Sequence, residues 1–138
     1  MSDGACPIYA PFFSGMGCTA AIVLSCMGAS YGTAKSGIGI ISTGILHPEH
    51  TVKNLVPVVM SSVIAIFGLI VGVLITGQHE PGLSLFSALT QLSAGITMGL
   101  CGLASGFSIG IIGDCGVRAN SQQPRILVWA CYRVGYDI

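Results

Sequence analysis

A chain of 138 residues with 7% charged and 52% hydrophobic positions and a formal net charge of zero has too few polar groups to cover a water-soluble globule, as its mean hydropathy of +0.83 also says. Twenty glycines without a Gly-X-Y period exclude collagen, and the long apolar runs exclude a flexible linker. Five scattered Lys and Arg residues form no basic stripe for nucleic acid, so the composition is that of an integral membrane protein.

Met1 to Pro11 is a short lead-in whose two prolines are expected to keep it out of helix interior. It has no basic n-region, and the apolar run behind it is too long for a removable signal. From Phe12 to Leu46 the chain is almost uncharged. As a helix this run is about 50 Å long against about 30 Å of hydrocarbon, so one end is expected to project. Lys35 marks that end, because its stem lies along apolar surface while the ammonium reaches the interface. The polar loop His47–Asn54 holds two histidines and Glu49, but Pro48 breaks the helical spacing a ligand pair needs. It reads as a solvated turn, and no metal or cofactor is expected.

Leu55 to Thr76 is an apolar run of spanning length with Pro57 in its first turn, where proline is tolerated. The next loop, Gly77–Gly82, carries no Lys or Arg. Leu83 to Val117 is again too long for the membrane alone, and the polar, basic stretch Arg118–Arg125 follows. The last segment, Ile126 to Ile138, spans only about 20 Å as a helix. It also carries Arg133, at a cost of about 2.5–3.5 kcal/mol at mid-membrane.

Two rows of small residues organise these runs. Gly95, Gly99, Gly102, Gly106, Gly110 and Gly113 advance by three or four and share one helix face. Ala21, Ser25, Gly28, Gly32, Ser36 and Gly39 repeat the same steps, each 74 positions earlier. Glycine costs about 1 kcal/mol relative to alanine in a helix in water. In hydrocarbon the backbone must satisfy itself, so the helix persists and the bare row becomes a docking surface. The expected fold is therefore an all-α membrane protein built from a duplicated transmembrane hairpin: 1–78 (helices about 12–46 and 55–76) and 79–138 (helices about 83–117 and 126–138). By that repeat Ile138 corresponds to Ile64, midway through the second helix, so three full spans and a truncated fourth are expected.

Lys35, Lys53, Arg118 and Arg125 cluster around the first and third loops. The positive-inside rule puts those loops in the cytosol, the N-terminus and Gly77–Gly82 on the lumenal side, and both overlong helices projecting cytosolically. Six cysteines, Cys6, Cys18, Cys26, Cys101, Cys115 and Cys131, form no CxxC pair and are expected as buried small apolar residues.

Several stretches, in order, resemble the 16 kDa proteolipid (c-subunit) family of V-type proton-translocating ATPases. They are Tyr9-Ala-Pro-Phe-Phe13, Tyr31-Gly-Thr-Ala-Lys-Ser-Gly-Ile-Gly39, Val56-Pro-Val-Val-Met60, Ala65-Ile-Phe-Gly-Leu69, Gly106-Phe-Ser-Ile-Gly110, Gly113-Asp-Cys-Gly-Val-Arg118 and Ser121-Gln-Gln-Pro-Arg125. The resemblance implies a four-helix proteolipid that forms a ring with other copies in the membrane sector of a rotary pump. Its partners would be other proteolipids, stator and central-stalk subunits and the lipid bilayer, with no nucleic acid and no cofactor. The chain would not be an enzyme by itself, and it would lie in a vacuolar or other acidic-organelle membrane. The striped helices would line the inside of the ring, where their small residues let neighbouring backbones approach. A glutamate midway along the fourth helix would carry the proton, crossing lipid as the neutral acid because an ionised carboxylate there is costly.

After Val128 the resemblance stops. Trp129-Ala-Cys-Tyr-Arg-Val-Gly-Tyr-Asp-Ile138 has neither the long aliphatic run nor the Phe-Ala-Glu-type motif. Counted from Gln123-Pro124-Arg125, the glutamate position is Ile138. Asp137, one residue early, is about 100° away on a helix and is a poor proton carrier. It also stands four residues after Arg133, at pairing distance. Gln91 matches a glutamine that supports the glutamate in the family, and Asp114 reads as an interfacial acid facing Lys35. Three readings follow: a ring subunit deficient in proton transport, an inert or inhibitory assembly partner, and an independent oligomeric pore that rests on the glycine pattern alone.

Overall fold

The computed structural model describes residues 8–78, 84–123 and 125–137. Four helices follow one another: α1 (Ala10–Leu46), α2 (Val56–Gly77), α3 (Leu85–Asn120) and α4 (Ile126–Asp137), with two short 3-10 turns, Pro48–His50 and Lys53–Leu55, between α1 and α2. Among the described residues there is no strand. Three helical stretches, Ala10–Leu46, Lys53–Gly77 and Leu85–Asn120, are long and apolar enough to cross a membrane. The protein is an all-α membrane protein. Cys6, His79, Glu80, Gly82 and Ile138 lie outside the described residues.

The helix limits follow from local chemistry. α1 starts at Ala10 and takes Pro11 into its first turn. Pro11 there lies outside the helix interior, where its missing N–H is not needed. At the other end Pro48 stops the run, and the His47 N–H donates to the Thr43 carbonyl at 3.0 Å. α3 is capped by Ser84, whose Oγ accepts from the Ser87 N–H at 3.4 Å. It runs to Asn120, three residues past the expected Val117.

α1 and α3 lie side by side and parallel: Gly17 faces Leu92, Gly28 faces Gly102, and Gly39 faces Asp114. α2 runs antiparallel across them. Gly72 meets Cys18 and Ile22, Gly68 meets Ser25, and Pro57 meets Gly113. α4 makes its packing contact with α3. The interior is built from small side chains, and the largest fully buried ones are Val117, Asn54 and the serines 14, 25, 36 and 61. A small apolar cluster of Ile40, Val117 and Val58 closes one end.

These contacts give the level of each helix. α2 is about 33 Å long and matches the hydrocarbon by itself. Its first turn is level with Ser36 and Gly113 through Pro57. Beyond that level α1 continues for about 15 Å and α3 for about 10 Å at the usual rise per residue. At the other end α3 starts before the groove where Thr90, Gln91 and Ala94 meet Leu74, Ile75 and Gln78. The overhang is therefore shared between the two ends, the larger part at the end of the first and third loops, whereas the sequence suggested one end only.

Candidate functional site

The seam between α1 and α3 is where the two small rows meet, each facing the other within one chain. A Cβ added to Gly28 would strike the Gly102 carbonyl, and one added to Gly106 would strike the Gly28 backbone. On Gly102 it would lie 2.8 Å from Ser25 Oγ, and on Gly110 it would lie 3.1 Å from the Gly32 Cα. Gly95 packs on the Gly17 backbone, Gly99 on Leu24 and the Ala20 carbonyl, and Gly113 on Ser36 and Pro57. Ala21 is fully buried on the same seam. Gly39 faces Asp114, and Gly32 faces both the Gly106 carbonyl and the Ser61 hydroxyl. Tyr31 and Phe107 add a tilted ring contact across the seam, 4.3 Å between centroids. The two rows thus form the contact surface between α1 and α3 within one subunit.

Among the described residues, three buried polar contacts join different elements beside the seam. The Ser14 hydroxyl donates to Gln91 Oε1 at 2.6 Å. The Ser61 hydroxyl donates to the Ala29 carbonyl at 3.0 Å, tying α2 to α1. Asn120 Nδ2 donates to Asn54 Oδ1 at 2.7 Å, with both residues buried. Ser25 Oγ, Asn54 Nδ2 and Gln91 Nε2 are buried without a partner. The Asn54–Asn120 pair escaped the sequence reading because both residues sit in polar stretches that look solvated. Their spacing of 66 carried no signal, although two amides at matching levels of a duplicated hairpin were there to be compared.

Gln91 on α3 is engaged by Ser14 on α1. It borders a groove of about 180 Å³ with Leu74, Ile75, Thr90 and Ala94. Asp137 is the last residue of α4.

Asp114 also differs from expectation. Arg118 Nε donates to its Oδ1 at 3.0 Å, a pair within one turn of α3 rather than a bridge to Lys35. The i, i+4 spacing holds the two side chains on one face, with the arginine near the helix C-terminus, where a cation is favoured. Among the described residues no group of three or more metal-ligating side chains comes together.

A second row went unread in the sequence. Gly15, Thr19, Cys26 and Ser30 on α1, and Ser93, Thr97, Cys101 and Ala104 on α3, are exposed and turn away from the seam. The described cysteines correct the expectation of buried thiols: Cys26 and Cys101 in these rows and Cys115 elsewhere on α3 are exposed, and Cys18 is half-buried. The hydroxyls are already satisfied within their own helices. Thr19 donates to Met16, Ser30 to Met27, Ser93 to Thr90 and Thr97 to Ala94, all at 2.8–3.0 Å. With no orphaned donor, these faces tolerate either lipid or a closely approaching helix.

The family model described as the ATP synthase C-subunit matches residues 16–75 and 92–131. The chain is 56% identical over 128 residues to the V-type proton ATPase c-subunit of Candida tropicalis, covering 93% of this chain and 79% of that one. To the V-type proton ATPase 16 kDa proteolipid c-subunit of Homo sapiens it is 52% identical over 122 residues, 88% of this chain and 79% of the relative. The 16 kDa proteolipid of Nephrops norvegicus is 49% identical over 130 residues, 93% and 82% of the two chains.

Proposed function

This chain belongs to the family of V-type proton ATPase proteolipid c-subunits, and we propose that it takes a place in the proteolipid ring of such a pump's membrane sector, in the service of ATP-driven proton transport and organelle acidification. The observation that carries this reading is the pair of outward small-residue rows on α1 and α3. A subunit that packs its own helices through one small row and leaves a second one open is suited to admit another helix there, since small side chains let backbones approach. Neighbouring copies are the proposed occupants, with stator and stalk subunits beyond them. The two hairpins, 1–78 and 79–138, are read as one duplicated unit. Loops one and three face the cytosol, and the N-terminus faces the lumen of a vacuolar or other acidic compartment.

In this reading the chain supplies packing and not the proton carrier. The register position of the family's fourth-helix glutamate is Ile138, and Asp137 falls about 100° away around the helix. A carboxylate must be presented to lipid and to the stator at one angular position, because only there does neutralisation license its passage. The same feature favours a second reading, in which the chain occupies the ring as an inert or inhibitory partner. Vesicles holding the rest of the pump with this chain as the sole proteolipid test the first point: no ATP-driven acidification is expected. Robust acidification that Asp137→Asn abolishes would overturn it. Gentle solubilisation tests ring membership, since the chain should migrate with the pump, and migration only as a separate homo-oligomer would favour an independent pore.

A further inference from the structure

The flank of the α1–α3 pair that turns away from α2 carries a cation that the pump reading leaves unused. On α1, Ala29 faces α2 through the Ser61 hydroxyl. Tyr31, two residues on, is about 160° around the helix and so stands on the far flank. Its ring lies 4.3 Å from that of Phe107 on α3. Gly110 makes room for this: a Cβ there would lie 3.4 Å from both Tyr31 Cδ1 and Lys35 Cβ. Tyr31 and Lys35 thus share one notch in α3, and Lys35 is exposed. The acid in register with the notch is Asp114, which faces Gly39 one turn beyond Lys35, and Arg118 takes it at 3.0 Å. Among the described residues no ion pair forms at Lys35.

Contacts fix the depth of this flank. Ser36 and Pro57 both meet Gly113. Lys35, beside Ser36, is therefore level with the first turn of α2, the helix whose length matches the hydrocarbon. Toward the bilayer centre come the Tyr31 and Phe107 rings and then Met27, with Phe107 and Met27 exposed. The flank presents one cation at the edge of the hydrocarbon and an open apolar wall below it.

We propose that this flank holds an anionic glycerophospholipid, with its phosphate at the Lys35 ammonium and an acyl chain along Phe107 and Met27. A lysine stem lies along apolar surface while its head reaches the phosphate layer. Because Asp114 is engaged by Arg118, the anions left to Lys35 at that level are lipid phosphates. A lipid with net negative charge is favoured over a zwitterionic one, whose own ammonium competes for the phosphate. The apolar wall and the cation stand at the levels of chain and headgroup, so one molecule satisfies both. The inference rests on the membrane placement of α1, α2 and α3 and stands apart from the pump reading.

Trp129 is the only tryptophan in the chain, so Trp129→Phe combined with Phe107→Trp puts a single fluorescent reporter on the flank. The full chain is reconstituted into vesicles of equal phosphatidylcholine and phosphatidylglycerol, with bromine on the acyl chains of one lipid or the other. Quenching is expected to show phosphatidylglycerol enriched about fivefold beside the reporter, the preference that one lysine near a lipid phosphate supports. Lys35→Gln should remove the enrichment and Lys35→Arg should keep it. Lys53→Gln, which deletes the same charge from loop one, should leave it unchanged. Equal quenching by the two lipids, an enrichment that survives Lys35→Gln, or one that Lys53→Gln removes equally would overturn the proposal. Protection from both brominated lipids would mean that a protein surface covers the flank, and overturns it as well. Met27→Trp in the Trp129→Phe background, one turn deeper, must report the same enrichment.

Discussion

α2 and α4 each follow a striped helix, and they differ in kind. α2 has 22 residues and no charge, and it is seated on its neighbours through Ser61, Gly68 and Gly72. α4 carries Arg133 and Asp137, packs on α3, and turns its largest side chains outward. Both are helices, so backbone satisfaction does not distinguish them. What distinguishes them is the row of small residues that lets one helix lie flush against two others. In lipid, where apolar side chains gain little by leaving their surroundings, that close approach is the main source of association.

The comparison breaks most visibly at the seam. Gly106→Leu would drive a side chain into the Gly28 backbone, which cannot yield without separating α1 from α3. A loss of about 3 kcal/mol is expected, read from denaturant unfolding of the solubilised chain. Gly37, with open space around its Cβ position, is the matched control, and Gly37→Leu should stay within about 0.5 kcal/mol. Equal effects at the two positions would mean that the seam does not govern packing.

A smaller effect sharpens the same comparison at the membrane edge. Asn54→Leu leaves the buried Asn120 amide without its partner and should cost about 1–3 kcal/mol. The double variant Asn54→Leu with Asn120→Leu should recover part of that loss, because two apolar groups replace a pair instead of orphaning one member. A double variant worse than the sum of the singles would mean that the pair is not what holds loop one to α3.

Much of the architecture is legible in the residues because the determining feature is the absence of a side chain. A glycine or serine every third or fourth position is visible without coordinates, whereas the pairing of Gly28 with Gly102 and of Gly32 with Gly106 comes from the structure. Polar partnerships were not legible, since they depend on levels and angles that spacing alone leaves open. Asp114 had Lys35 and Arg118 within plausible reach, and helix geometry chose the residue four positions on. Gln91 was expected to stand without the partner that the family's glutamine has, and Ser14, which no spacing paired with it, takes that place. The second row of small residues was present in the sequence and went unread, because one glycine stripe already accounted for the run.

The whole architecture requires α1 and α3 to lie parallel, with their loop ends on one side of the membrane. In a version whose native cysteines are replaced by alanine, Lys53→Cys and Arg118→Cys are introduced singly and treated with a membrane-impermeant maleimide in oriented vesicles. Both positions should react from the same face, as the Asn54–Asn120 contact beside them requires. Reaction from opposite faces would contradict the parallel seam and everything built on it.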